Sequence, residues 1–136
     1  MTNGDRADLV LVILAVEDLA RAKAFYERAF DWEMDVDVPV FVQLRTRTPG
    51  LSVGLYQREA YAANTNELPA PAPAGGITAT ELYVLVEDLE AALARAEEAG
   101  ARRLSDPAER SWGDRAAYVA DTDGNVIAFA TSGHED

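Results

Sequence analysis

Apolar and polar residues alternate along this chain in two periods, one typical of strands and the other of helices. Short apolar runs, rich in aliphatic and β-branched residues, occupy residues 9–15 and 82–85. Runs of this length and composition predict strands. Each run is followed by apolar residues at helical spacing, which predicts an amphipathic helix from about Leu19 and another from about Leu89. The order of strand and then helix therefore occurs twice.

The repetition includes the residues that join each strand to its helix. The tetrapeptide Val-Glu-Asp-Leu stands at residues 16–19 and again at residues 86–89. Asp18 and Asp88 occupy the position of an N-cap, whose side chain accepts a hydrogen bond from the first helical turn. Gly100 suits the left-handed position that ends the second helix. We infer an internal duplication.

The remaining pattern adds three strands to each repeat. The predicted strands are residues 33–36, 40–47 and 51–57 in the first half, and residues 102–104, 115–120 and 125–131 in the second. The strands at residues 115–120 and 125–131 form a hairpin, because the Asp123-Gly124 step between them supplies the positive φ of a tight turn. The sequence predicts one α+β domain over residues 1–136, made of two tandem β-α-β-β-β modules at about 8–57 and 79–131.

The segment between the modules, about residues 58–78, has a different composition. Its later part, residues 69–76, alternates proline with alanine before two glycines. Such a segment is typical of an extended linker with a hinge. Its earlier part, residues 58–68, is expected to be a surface loop or a lid over a pocket.

Composition narrows the classes of partner. The chain has 24 acidic and 12 basic residues and a net charge of −12, which excludes nucleic acid because phosphate binding needs a basic face. The acidity indicates either a solubilising surface or attraction of a cationic ligand. No apolar run reaches the roughly 20 residues of a membrane helix, and the N-terminus lacks a signal-peptide pattern. With no cysteine either, we expect a cytoplasmic protein without a membrane partner.

Three segments of the sequence carry a family resemblance. They are the helix opening at residues 16–30, which includes the Phe25-Tyr26 pair, the helix opening at residues 82–101, and the closing segment around the turn at residues 121–125. Together they resemble the vicinal oxygen chelate superfamily, which includes glyoxalase I, bleomycin- and fosfomycin-resistance proteins and extradiol dioxygenases. The resemblance covers about residues 8–131, with Thr122 where proline is usual. It implies curved mixed sheets that meet to form a cavity, and a homodimer that is often assembled by pairing modules across chains.

The resemblance also implies four metal-ligand positions on the first and last strands of the modules. Counting from the repeated motifs places them at Leu11, Gly54, Glu81 and Ala128, of which only Glu81 has a donor. The sole histidine, His134, lies in the polar tail, so the chain cannot supply a catalytic zinc site, a non-haem iron triad or a Ser-His-Asp set. We expect no metal. The absence of a Walker loop and of a dinucleotide fingerprint likewise predicts no nucleotide cofactor.

Glu81 is the candidate catalytic residue, and three interpretations of it stay open. Strand alternation puts it on one face with Tyr83, and a carboxylate in a partly apolar cavity is costly unless it is paired. It can form an ion pair with Arg45 or Arg115, receive a cationic ligand, or act as a general base whose pKa is raised by burial.

Further aromatic and polar residues fall on the expected cavity face. Such a mixture is typical of a small-molecule pocket, although aromatic residues at these places also occur in an ordinary core. The predicted ligand-binding residues are Phe41, Gln43, Arg45, Gly54, Tyr56, Glu81, Tyr83, Trp112 and Arg115.

Three functional hypotheses follow. The first is a metal-free protein that binds a small organic molecule, such as an antibiotic or a cationic metabolite, in a cavity between the modules. The alternative is a lyase, isomerase or dioxygenase-like enzyme that uses Glu81 as a base or as part of an unusual metal site. The third is a degenerate paralogue with a regulatory or structural role.

Overall fold

Two four-stranded sheets form the framework of the computed structural model, which describes residues 3–132. A short 3-10 turn at Asn3–Asp5 precedes them. The first module contains β1 (Leu11–Val16), α1 (Leu19–Ala29), β2 (Glu33–Val38), β3 (Phe41–Arg45) and β4 (Ser52–Gln57), and α2 (Arg58–Thr65) follows it. The second contains β5 (Glu81–Leu85), α3 (Leu89–Ala99), β6 (Arg102–Glu109), β7 (Arg115–Ala120) and β8 (Val126–Thr131). The predicted α+β fold of two tandem modules is confirmed.

The two sheets have the same topology, and the first and last strands of each module pair in the same register. Their strand orders are β1-β4-β3-β2 and β5-β8-β7-β6, so the first strand of each module is an edge strand. In both sheets this edge strand runs parallel to the last strand of the module. Ile13 lies opposite Gly54, and Tyr83 lies opposite Ala128. Gly54 and Ala128 are therefore equivalent positions of the duplication.

Both repeated helices begin at the predicted N-caps, and α3 ends at the predicted glycine. Asp18 Oδ1 accepts a hydrogen bond from Arg21 N at 3.1 Å, and Asp88 Oδ1 accepts one from Ala91 N at 3.0 Å. Gly100 follows α3 with a φ of 119°. The hydrogen bonds of Asp18 and Asp88 satisfy N–H groups that the first helical turn leaves without an intrahelical partner.

The hydrophobic core runs through both modules. Alternate residues of most strands point into it, such as Leu14 and Val16 of β1 and Ile127 and Phe129 of β8. Helices α1 and α3 contact each other, and the rings of Phe30 and Phe129 lie 5.8 Å apart. The modules therefore meet through the helical sides of their sheets.

A polar cluster, here called the inter-module clamp, fastens the first module to the β7–β8 turn. It consists of Glu17, Tyr26, Asp121 and Asp123. Tyr26 Oη donates to Asp121 Oδ2 at 2.6 Å, and Glu17 N donates to Asp123 Oδ1 at 2.8 Å. Asp121 Oδ1 also accepts the N–H groups of Asp123 and Asn125 at 2.8 and 2.9 Å. Burial, and next the Asp121 carboxylate, raise the pKa of Tyr26 well above its ordinary value.

Two elements differ from the sequence prediction. Residues 58–65, expected to be a loop or lid, form α2, which Gln57 caps by accepting a hydrogen bond from Ala60 N at 2.9 Å. Strand β6 is eight residues long rather than three. Its register shifts on both sides of Ser105, and such irregularities let a strand accommodate Pro107, which cannot donate to the ladder.

Within residues 3–132, none of the helices has the length and apolarity needed to cross a bilayer.

Candidate functional site

The predicted ligand-binding residues divide between two separate sheet faces. The first face, on the first sheet, carries Ile13, Phe41, Gln43 and Tyr56; the second face, on the second sheet, carries Glu81, Tyr83, Leu85 and Tyr118. In the described chain no hydrogen bond, ion pair or ring contact joins the two faces. The modules meet through their helical sides, so one chain does not bring the predicted residues into one cluster.

Aromatic rings cover the first face. The ring centroids of Phe41 and Tyr56 lie 5.3 Å apart, and Tyr61 of α2 packs edge-on against Tyr56 at 5.4 Å. A Cβ on Gly54 would lie 2.7 Å from Cε1 of Phe41, so only glycine lets this ring lie across the strand. The ring of Phe41 thus covers Gly54, one of the positions that the resemblance assigns to a metal ligand. Sequence reasoning missed Tyr61, because its segment lacked a clear helical pattern.

The second face carries a hydrogen-bonded set of exposed side chains, here called the Tyr83 cluster, which comprises Tyr83, Trp112 and Asp114. Trp112 Nε1 donates to Tyr83 Oη at 2.8 Å, and Tyr83 Oη donates to Asp114 Oδ2 at 2.6 Å. The bond to Asp114 raises the pKa of Tyr83. Tyr83 is 42% exposed and Trp112 is 54% exposed. Asp114 was not among the predicted residues; its place two residues after Trp112 in a turn is the signal that could have found it.

The ion pair with Arg45 or Arg115, one of the three interpretations of Glu81, is not formed within the described residues. Glu81 is exposed and makes no hydrogen bond or ion pair within residues 3–132. Arg45 instead bonds to Glu33 and Asp35 of β2, at 2.8 Å each, because Glu33 is its cross-strand neighbour. Arg115 alternates with Ala116 and so shares the core-facing side of β7 with Ala117, away from Glu81.

The four metal-ligand positions do not converge on a set of donors. Leu11 and Glu81 begin their edge strands, and Gly54 and Ala128 lie on the neighbouring strands. Over the part of the chain that the structure describes, no three acidic or histidine side chains come together at metal-binding distances. His134 lies outside the described residues.

A cleft of about 890 Å³ opens between the modules, here called the inter-module cleft. Strand β5 forms one side and the β3–β4 turn forms the other. Its floor is apolar, with the rings of Phe30 and Trp32 stacked at 4.0 Å beside Val53, Val84 and Phe129. Sequence reasoning missed this site, because these residues have the spacing of ordinary core positions.

The rim of the cleft is charged. Arg47 Nη1 forms an ion pair with Asp31 at 2.7 Å, and Arg95 Nε donates to the carbonyl of Arg28 at 2.9 Å. Glu81 and Glu87 also line the cleft, and neither forms an ion pair within the described chain. These two glutamates are therefore open to a ligand. Of the nine predicted ligand-binding residues, Glu81 and Tyr83 line this cleft.

The duplication explains why the cleft exists. At one junction the clamp fastens the β7–β8 turn to Glu17 and Tyr26. The cleft lies at the equivalent junction, between the β3–β4 turn and Glu87. The residue eight positions after Asp18 is Tyr26, whereas the residue eight positions after Asp88 is Ala96. Because alanine cannot reproduce the tyrosine hydrogen bond, the second junction has no such clamp.

Comparisons with known proteins agree with this architecture. The family model described as Glyoxalase/Bleomycin resistance protein/Dioxygenase superfamily matches residues 8–129. No protein in a search of curated sequences matches.

Similar solved structures include a glyoxalase-related enzyme from Fulvimarina pelagi (18% identity, 92% of this chain and 88% of that chain, TM-score 0.79). A glyoxalase/bleomycin resistance protein/dioxygenase family enzyme from Burkholderia phytofirmans PsJN is also similar (24% identity, 93% of this chain and 99% of that chain, TM-score 0.75). TnmS3, an antibiotic binding protein from Streptomyces sp. CB03234, is similar as well (23% identity, 94% of this chain and 98% of that chain, TM-score 0.69). These structures share the fold, and the family match over most of the sequence shows that the chain belongs to the Glyoxalase/Bleomycin resistance protein/Dioxygenase superfamily.

Proposed function

We propose that the protein binds a small organic molecule, an antibiotic or a cationic metabolite, in the inter-module cleft. The observation that carries this proposal is the cleft itself. Its volume of about 890 Å³ falls within the range of ligand pockets, roughly 300–1,000 Å³. Its aromatic floor provides apolar contact for the body of a ligand, and its charged rim provides the few polar groups that orient one.

The charges at the rim favour a cation. Both arginines of the rim already bond to groups of the protein, Arg47 to Asp31 and Arg95 to a carbonyl. Glu81 and Glu87 make no such bonds in the described chain. The net charge of −12 adds a long-range attraction for cations, which salt would weaken. The likeness to the antibiotic binding protein TnmS3 supports a binding role.

A test of the cleft compares two aromatic substitutions. Native mass spectrometry of gently purified protein identifies a co-purifying organic mass, and titration of that compound then gives its Kd. Trp32→Leu removes an aromatic ring from the floor and should raise the Kd at least tenfold. Tyr61→Leu removes a ring from the first face and should leave the Kd unchanged. Equal Kd values for wild type and Trp32→Leu would place the ligand elsewhere.

We further propose a homodimer in which the first face of one copy lies opposite the second face of its partner, with contact at the edge strands β1 and β5 and with the Tyr83 side of the second face left open between them. Large apolar side chains on these faces are exposed, including Ile13 at 37% and Leu85 at 68%. Burying apolar surface of this kind favours association. Light scattering should give the mass of a dimer for the wild type and of a monomer for Leu85→Asp. The control is Leu68→Asp, at an exposed leucine outside both faces. A wild-type protein with the mass of a monomer would contradict the proposal.

The second candidate function is catalysis by Glu81. This carboxylate lines the cleft, is exposed and has no protein partner in the described chain. It is therefore free to accept a proton from a bound molecule. Glu81→Gln should then abolish conversion of the co-purifying compound while the Kd changes little. If the wild type leaves that compound unaltered on long incubation, only the binding role stands.

A further inference from the structure

We propose that the Tyr83 cluster is a subsite for the ammonium group of an organic cation, with Asp114 as the residue that selects the charge. This inference rests on the proposed binding function, since Tyr83 lines the inter-module cleft as well as belonging to the cluster. It assigns the charged end of the ligand to a site on the second face and leaves the apolar body to the cleft.

The aromatic part of the cluster has the form that such a group requires. Tyr83 and Trp112 expose about half of their surface, at 42% and 54%. Their ring centroids are 6.3 Å apart with planes inclined at 59°, so the two rings form adjoining walls. Tyr118 lies across Ala128 from Tyr83 on the same face. Ammonium groups bind over the faces of aromatic rings within about 6 Å of the centroid, and tryptophan is the most favourable ring.

The charge of the cluster is not neutralised by the protein. Asp114 accepts the Tyr83 hydroxyl through one oxygen and forms no ion pair within residues 3–132. The guanidinium of Arg110 lies over the neighbouring Tyr118 ring of the same face, 5.0 Å from its centroid, and donates to the Ala116 carbonyl at 2.9 Å rather than to Asp114. Glu81, two residues from Tyr83 on the same face of β5, adds a second carboxylate without a partner. Two anionic groups therefore flank two exposed rings.

The cluster is also held in place before a ligand arrives. The hydrogen bonds from Trp112 to Tyr83 and from Tyr83 to Asp114 fix all three side chains relative to one another. Backbone bonds fix the turn that carries Asp114, from Arg110 N to the Asp114 carbonyl at 2.8 Å and from Gly113 N to the Arg110 carbonyl at 3.0 Å. A preorganised site loses less side-chain freedom on binding.

The test uses two probes of the same shape and different charge, choline and its neutral isostere 3,3-dimethyl-1-butanol. The chain has two tryptophans, so its indole N–H resonances can be assigned with Trp112→Phe. The Trp112 indole reports on the Tyr83 cluster, and the Trp32 indole reports on the cleft. Choline should shift the Trp112 resonance with a Kd at least tenfold lower than that of dimethylbutanol. Similar Kd values for the two probes would overturn the subsite.

Matched variants isolate the charge of Asp114. Asp114→Asn keeps a hydrogen-bond acceptor for Tyr83 and should weaken choline binding at least fivefold. Asp106→Asn changes the net charge equally at an exposed residue on β6 that pairs with Arg103, and should bind choline like the wild type. An unchanged Kd in a folded Asp114→Asn protein overturns the inference.

The same spectra separate this inference from the proposed function. A choline shift of the Trp32 resonance alone would overturn the subsite and leave the cleft intact. A charge-selective shift at Trp112, together with an unchanged natural-ligand Kd in Trp32→Leu, would support the subsite and refute the cleft as the binding site.

Discussion

Replacing Tyr26 with phenylalanine tests whether the inter-module clamp stabilises the fold. The substitution removes one hydroxyl from a fully buried ring and leaves the aromatic packing with Phe25 and Phe30 in place. What it deletes is the 2.6 Å hydrogen bond from Tyr26 Oη to Asp121 Oδ2. Asp121 Oδ2 would keep only the longer bond from Asn125 Nδ2, at 3.3 Å.

The expected cost follows from the burial of the acceptor. Asp121 is 6% exposed, so water has little access to the carboxylate oxygen that loses its donor. Hydrogen bonds to charged groups contribute about 1.5–3 kcal/mol, and a buried acceptor left with fewer donors adds to the loss. We expect Tyr26→Phe to lower the free energy of unfolding by about 2 kcal/mol. For a domain of this size that loss lowers the Tm by roughly 5–10 °C.

Urea denaturation followed by circular dichroism measures this loss, with Tyr61→Phe as the matched control. The Tyr61 ring is partly exposed, and its hydroxyl has no hydrogen-bond partner in the described chain. Its removal should change the free energy of unfolding by less than about 0.5 kcal/mol. A Tyr26→Phe protein that unfolds at the same urea concentration as Tyr61→Phe would refute the reasoning.

A double-mutant cycle then assigns the loss to the bond itself. Because the two residues share one interaction, the effects of Tyr26→Phe and Asp121→Asn should not be additive, with a coupling of about 1 kcal/mol or more. Additive losses would mean that each residue stabilises the protein separately and that the clamp is not a unit.

Three further predictions concern the same stability measurement. Burial and Asp121 raise the pKa of Tyr26 in the folded protein. The stability that the neutral hydroxyl contributes is therefore fully present below the unfolded-state pKa of about 10, and it is lost as the pH rises toward the folded-state pKa. Above pH 10 the urea midpoint should fall more steeply in the wild type than in Tyr26→Phe. Gly113→Ala should lower the free energy of unfolding by roughly 1–2 kcal/mol through left-handed strain alone, since a Cβ there meets nothing within 4 Å. Gly124→Ala should lower it further, because the added Cβ would lie 2.8 Å from Cβ of Ala72. Equal urea midpoints for the two variants would contradict this. Asp88→Ala should lower the free energy of unfolding by about 1 kcal/mol, because α3 loses its N-cap. Glu90→Ala, in the first turn of the same helix, should lower it much less.

The parts of the fold that could be predicted from sequence are those fixed by neighbouring residues. The caps at Asp18 and Asp88 and the hairpin around Gly124 depend on a few adjacent positions, so a local pattern is enough to identify them. Helix α2 was missed because its eight residues bury no side chain and carry no apolar stripe. Its N-cap is glutamine, which is not among the common capping residues.

The arrangement of the site depends on contacts that no local pattern encodes. Alternation correctly placed Glu81 and Tyr83 on one face, but the way the modules meet rests on bonds between residues 95 and 106 positions apart in sequence. The ion pair considered between Glu81 and Arg45 is absent for a similar reason. The pairing of β2 with β3, including a register shift between Met34 and Val36, puts two carboxylates beside that guanidinium.

The shared core has a consequence for the two halves of the duplication. A single module would expose the helix that now lies against its counterpart, together with core residues such as Phe30 or Phe129. One module alone would therefore need a second copy to cover this surface. In this chain the other half supplies that contact, so the two halves do not need the same residues at equivalent positions. Tyr26 and Ala96 are such a pair: a hydrogen-bonded clamp closes one junction, and the cleft opens at the other.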